Sequence, residues 1–105
     1  EALDRAAGLA PESAQVQLDR GVALRAAGEG ARAVEALGIA RRLAPGDAEV
    51  AFALAGALAD AGRWPEADQA LEEAFELQPG LADRPEFEAL RQRILTQLES
   101  VSPDR

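Results

Sequence analysis

The chain has 105 residues and contains no cysteine, no histidine and no lysine. Without cysteine there is no disulfide framework to hold a fold together. Without histidine and lysine as well, the usual general bases, nucleophiles and soft metal ligands are missing. Only carboxylates remain for acid–base work, and they are dispersed along positions that read as solvated helix faces. No enzymatic activity, no metal and no cofactor are expected.

Positive charge is scarce too. Eleven arginines face nineteen acids, leaving a net charge of −8. Phosphate backbones and anionic membrane surfaces should repel such a chain, so no nucleic-acid partner is expected. The Arg41–Arg42 pair reads as a complement to a helix C-terminus rather than a phosphate site. No run approaches the roughly eighteen apolar residues that span a bilayer, so no membrane insertion is expected. The expected setting is soluble, either cytoplasmic or periplasmic. Glu1 in place of a starting Met suggests excision or processing from something longer.

Aromatics make up only 4% of the chain, against 48% hydrophobic residues dominated by alanine. Alanine is the best helix former and lets helices approach closely, which points to an all-α domain. The length suits one domain with a thin core.

The prolines organise the chain. "GLAP" at 8–11, "RRLAPG" at 41–46 and "ELQP" at 76–79 place Pro11, Pro45 and Pro79 at a constant spacing of 34. Leu3, Leu37 and Leu71 keep the same spacing, as do Ala6, Ala40 and Ala74, and Leu9, Leu43 and Leu77. Each unit divides at a glycine, Gly28 or Gly62, able to close a helix in the left-handed conformation. Ser13 and Asp47 are suited to cap the first helices, expected over about 13–27 and 47–61. Second helices are expected over about 30–43 and 65–77, with Pro65 in a first turn where its missing N–H is harmless. Ala33, Leu37, Ala40 and Ala44 form one apolar stripe at helical spacing, repeated by Ala67, Leu71 and Ala74 before polar Gln78. Two helices cannot bury such a face alone, so units must stack. Proline ends each second helix and turns the chain into the next unit.

This pattern resembles the tetratricopeptide repeat, W-x2-L-G-x2-Y, then A-x3-F, then P. One unit reads Gln17-x2-Arg20-Gly21-x2-Leu24, then Ala33-x3-Leu37, then Pro45. The next reads Ala51-x2-Leu54-Ala55-x2-Leu58, then Ala67-x3-Leu71, then Pro79. The small residues and prolines match, while the family aromatics are replaced by Leu, Gln or Ala. Arg20 stands where the family has Leu, its stem expected along the core with its head in water. "GRWPEA" at 62–67 is the most family-like stretch, and the resemblance implies that Trp64 packs between units. The implied fold is a right-handed helical solenoid of two-helix, 34-residue repeats with a C-terminal capping helix. Its expected parts are a half repeat at 1–12, repeats at 13–46 and 47–80, a capping helix at 81–101 and a tail at 102–105. The capping helix is expected to start from a box of Asp83 and Glu86. Phe87, Leu90, Ile94, Leu98 and Val101 would be its apolar stripe.

The half repeat leaves Leu3, Ala6 and Ala10 without their natural cover. Either a longer array has been cut, the reading Glu1 favours, or self-association through another chain covers them.

The resemblance also implies a function, protein–protein interaction. A partner's peptide or helix would lie in the concave groove lined by the first helices. The implied lining is Gln15, Leu18, Asp19, Val22 and Arg25, then Glu49, Phe52, Ala53, Gly56 and Asp60. Family members that grip acidic carboxyl-terminal tails use a Lys and Asn clamp there. The clamp positions hold Leu18, Val22, Glu49 and Ala53, so that specificity is not expected. Arg25 would be the only positive charge beside an acidic rim of Asp19, Glu49 and Asp60. Phe52 would be either covered by the C-terminal helix or reserved for a ligand. The alternative function is a structural spacer or self-association segment of a larger multi-repeat protein.

Overall fold

The structure is a computed structural model that describes residues 13–100. The half repeat at 1–12, Val101 and the tail at 102–105 lie outside the described residues. Among those described there is no strand. Five α-helices follow in order: α1 Ala14–Ala26, α2 Gly30–Leu43, α3 Ala48–Asp60, α4 Trp64–Leu77 and α5 Pro85–Ser100. A short 3₁₀ helix, Pro79–Asp83, joins the last two.

Local chemistry sets the first four boundaries. The Ser13 hydroxyl accepts from the Val16 N–H at 3.2 Å, and Asp47 Oδ1 accepts from Glu49 at 2.9 Å. Each satisfies an amide that the first helical turn leaves unpaired. At the other end, Gly28 and Gly62 take φ of 83° and 77°. That left-handed step lets Glu29 N–H reach Leu24 O at 2.9 Å, and Arg63 N–H reach Leu58 O at 2.8 Å. Both turns are thus Schellman closures. Helices α2 and α4 stop at Leu43 and Leu77, with one non-helical residue before Pro45 and Pro79. A residue preceding proline is driven out of the helical region by the ring.

The start of α5 departs from expectation. Asp83 is not its cap, because Asp83 closes the 3₁₀ helix. The Arg84 carbonyl instead accepts from Phe87 N–H at 3.0 Å and Glu88 N–H at 3.3 Å. Arg84 is extended ahead of Pro85, and Pro85 takes the first helical position that its fixed φ suits. Arg20 also departs from expectation: it is exposed, while Gln17 and Gly21 turn inward on α1.

Helices adjacent in sequence pack against each other, and α3 also touches α1 and α5. Helix α3 is therefore enclosed from several sides. Only Glu49, Phe52, Ala53 and Asp60 escape full burial on it. A helix apolar on nearly every face belongs in such a place. The stripes Ala33–Leu37–Ala40 and Ala67–Leu71–Ala74 are buried, and α5 adds Phe87, Leu90 and Ile94. Leu37 lies against the bare backbone of α1 at Gly21, where a Cβ would overlap its isobutyl group. One unit on, Leu71 has Ala55 at the corresponding place on α3. The result is an all-α stack of two-helix units, with α5 packed on α4 and α3.

Candidate binding groove

A hollow of about 610 Å³ opens between α1, α3 and α5. Leu18 and Val22 contribute from α1, one turn apart, and Phe52 and Ala53 face them from α3. Leu90 of α5 completes an apolar floor. Val22 is the most open part of it, 51% exposed. Asp19, Glu49 and Glu86 stand at the edge. A neighbouring hollow of about 390 Å³ continues past Val22 and Ala53 to Arg25 and Asp60.

Of the ten residues expected to line a groove, eight meet across these two hollows. Gln15 does not line them; it is exposed and its amide donates to Asp19 Oδ1 at 2.9 Å. Gly56 does not either, because it is buried beneath the Arg25 guanidinium. Leaving out a side chain at Gly56 is what lets that guanidinium lie down on α3.

Arg25 is not the single cation of the rim. Its Nε sits 2.5 Å from Asp60 Oδ2, and Arg93 of α5 brings Nη1 to 3.0 Å from the other oxygen. Arg84 reaches Glu49 at 2.6 Å. Partial burial would raise the Asp60 pKa, but hydrogen bonds from both arginines outweigh it and hold the carboxyl below its ordinary value. Arg25 is thus engaged and does not wait for a carboxylate. Asp19 and Glu86 carry no ion pair among the described residues, and the surplus arginine at Asp60 offsets only one of them, so the residual charge around the hollow is weakly negative.

Phe52 is half-buried, its ring stacked on Phe87 at a centroid distance of 5.8 Å. The C-terminal helix therefore covers one side of Phe52 and leaves the other to the hollow. Trp64 opens α4 and packs against the core, with the Arg93 guanidinium 5.5 Å from its ring centroid.

Sequence reasoning did not find Glu86, Leu90, Arg84 or Arg93 as neighbours of this surface. A signal was present for the arginines. The ion pairs that reach across this surface join residues 33 to 35 apart, close to one repeat length. Stacking units sets a residue beside its near-equivalent in the next, so partners can be sought one period on.

Among the described residues no group of three or more metal-capable side chains occurs, and the groove holds no nucleophile paired with a base. No helix there is long and apolar enough to cross a membrane. The arrangement can bind through apolar contact and charge. No curated protein matches the chain. The profile of the tetratricopeptide repeat matches residues 24–94, about two thirds of the sequence. With the repeated two-helix stack, that match makes the chain a member of the tetratricopeptide repeat family.

Proposed function

We propose that this domain is a protein-interaction module that holds a short segment of a partner, helical or extended, in the hollow between α1, α3 and α5. In this reading the units form a right-handed solenoid of 34-residue repeats, and α5 caps it while forming one wall of the groove. The observation that carries the reading is Val22, an aliphatic side chain half open to water inside a hollow floored by Leu18, Phe52 and Leu90. Exposed apolar surface gathered in a concavity is the usual mark of an interaction site. An apolar side chain of the partner buried there contributes about 1.5–3 kcal/mol, one to two decades of affinity. Residual negative charge favours segments that lack acids near the anchor.

Peptides selected from a random display library on the intact chain test this. Binders should carry an apolar anchor and lose about tenfold in affinity with Val22→Gln, at unchanged melting temperature. Binders indifferent to Val22→Gln would remove the groove from the reading. Concentration-dependent mass without any peptide would favour the alternative, a self-associating structural segment.

A further inference from the structure

A second apolar hollow lies away from α1, in the seam between α4 and α5. It measures about 410 Å³, and its apolar lining includes Leu71, Phe75, Phe87 and Leu95. Phe75 is 45% exposed, although its ring tilts against Phe87 at 6.3 Å between centroids. The two helices run in opposite directions along the seam, since Phe87 lies beside Phe75 near one end and Arg93 lies over Trp64 near the other.

Four charged side chains edge the seam: Asp68, Glu72, Glu88 and Arg91. Arg91 donates to both oxygens of Glu88, at 2.9 and 3.0 Å from Nη2, so these two cancel. Asp68 and Glu72 have no ion-pair partner among the described residues. They stand one helical turn apart on α4, with Phe75 about a turn beyond Glu72, which sets the Cβ atoms of two acids about 5–6 Å apart beside an open aromatic ring.

We propose that this seam docks a basic amphipathic helix of a partner protein, an apolar side chain seated on Phe75 and Leu95 and two cations one turn apart meeting Asp68 and Glu72. An apolar trough between two antiparallel ridges fits a helix laid along it. The uncancelled carboxylates select the sign of the visitor's charge. A second copy of this chain is a poor occupant, because it brings the same net charge of −8. Seven arginines are already held in ion pairs within the described residues. Anionic lipid and nucleic acid are repelled by the same carboxylates. Phe87 lines this seam, tilted against Phe75, and also stacks on Phe52, which lines the first hollow.

The test is an amide chemical-shift titration of the intact chain at near-physiological salt. The probe is a synthetic helical peptide about four turns long, with Leu along one face and Lys beside it. A second probe has Glu in place of each Lys. The basic probe should shift Asp68, Glu72, Phe75 and Leu95, and the acidic probe should not. Asp68→Asn with Glu72→Gln should weaken the basic probe about tenfold. The same charge loss at exposed Glu29→Gln with Glu35→Gln, at the start and on the outer face of α2, should leave it within about twofold. An equal loss at that remote pair means indiscriminate attraction to an acidic protein and overturns the proposal. Shifts confined to Val22, Phe52 and Leu90 overturn it as well, while supporting the first groove. Shifts at the seam with the first groove silent support this proposal alone.

Discussion

The ring of Phe87 stacks on the ring of Phe52, 5.8 Å between centroids and 27° between planes. The contact ties α5 to α3, two α-helices earlier, and it is flanked by the ion pairs Arg84–Glu49 and Arg93–Asp60. Helix α5 is thus fastened along α3 just before its start, at its first turn and near its middle. The surface that α5 leaves open forms the hollow beside Phe52.

Removing the Phe87 ring should therefore cost more than removing the ring it covers. Phe87 is 4% exposed, and Phe87→Ala should lower stability by about 3 kcal/mol. Half-buried Phe52 should lose about half of that with Phe52→Ala, because part of its surface already meets water. Urea unfolding midpoints give both values. Equal costs would mean that α5 does not rest on Phe52 in solution.

Acid should weaken the same fastening. The Asp60 carboxyl is held below its ordinary 3.8 despite partial burial, because Arg25 and Arg93 both donate to its ionised form. A depressed carboxylate contributes stability at pH values above its unfolded pKa and loses that contribution as pH falls through the folded pKa. The stability gap between the natural chain and Asp60→Asn should thus be widest near neutrality and shrink below about pH 4. Melting temperatures measured from pH 7 to pH 3 provide the check, and a gap independent of pH contradicts it.

Two buried glycines should respond differently to alanine. At Gly21 an added Cβ meets the branched end of Leu37, which is fully enclosed and cannot retreat. The overlap should cost about 1–3 kcal/mol, more than the gain in helix propensity returns. At Gly56 the obstacle is the Arg25 guanidinium, the far end of a flexible side chain. Gly56→Ala should displace it, break the pair with Asp60 and leave the melting temperature within a few degrees of the natural chain. Thermal unfolding of both variants separates the cases, and a larger loss at Gly56 would reverse the assignment.

Much of the backbone was legible from short stretches of sequence. Ser13 and Asp47 cap where a side-chain oxygen precedes a helical run, and Gly28 and Gly62 close where only glycine takes positive φ at no steric cost. The buried stripes on α2 and α4 follow from apolar residues at helical spacing. The same local rules failed at α5, where Asp83 offered a cap but Pro85 fixed the start one residue later. Two local signals competed there, and the proline ring allows no compromise.

The candidate site was legible only as a helix face. Repeat register placed Leu18, Val22, Phe52 and Ala53 on the side that the structure leaves open. It could not tell that Arg25 is already taken by Asp60, nor that Phe75 stands open beside α5. Periodicity, capping and left-handed turns are decided within about five residues by backbone hydrogen bonding and side-chain spacing, so the sequence by itself determined the helices and their inward faces. Where α5 comes to rest depends on how Phe87, Leu90 and Ile94 fit against α3 and α4, a balance of many small contacts between distant segments. Only the tertiary structure decided that, and with it which arginines are paired and which hollows stay open.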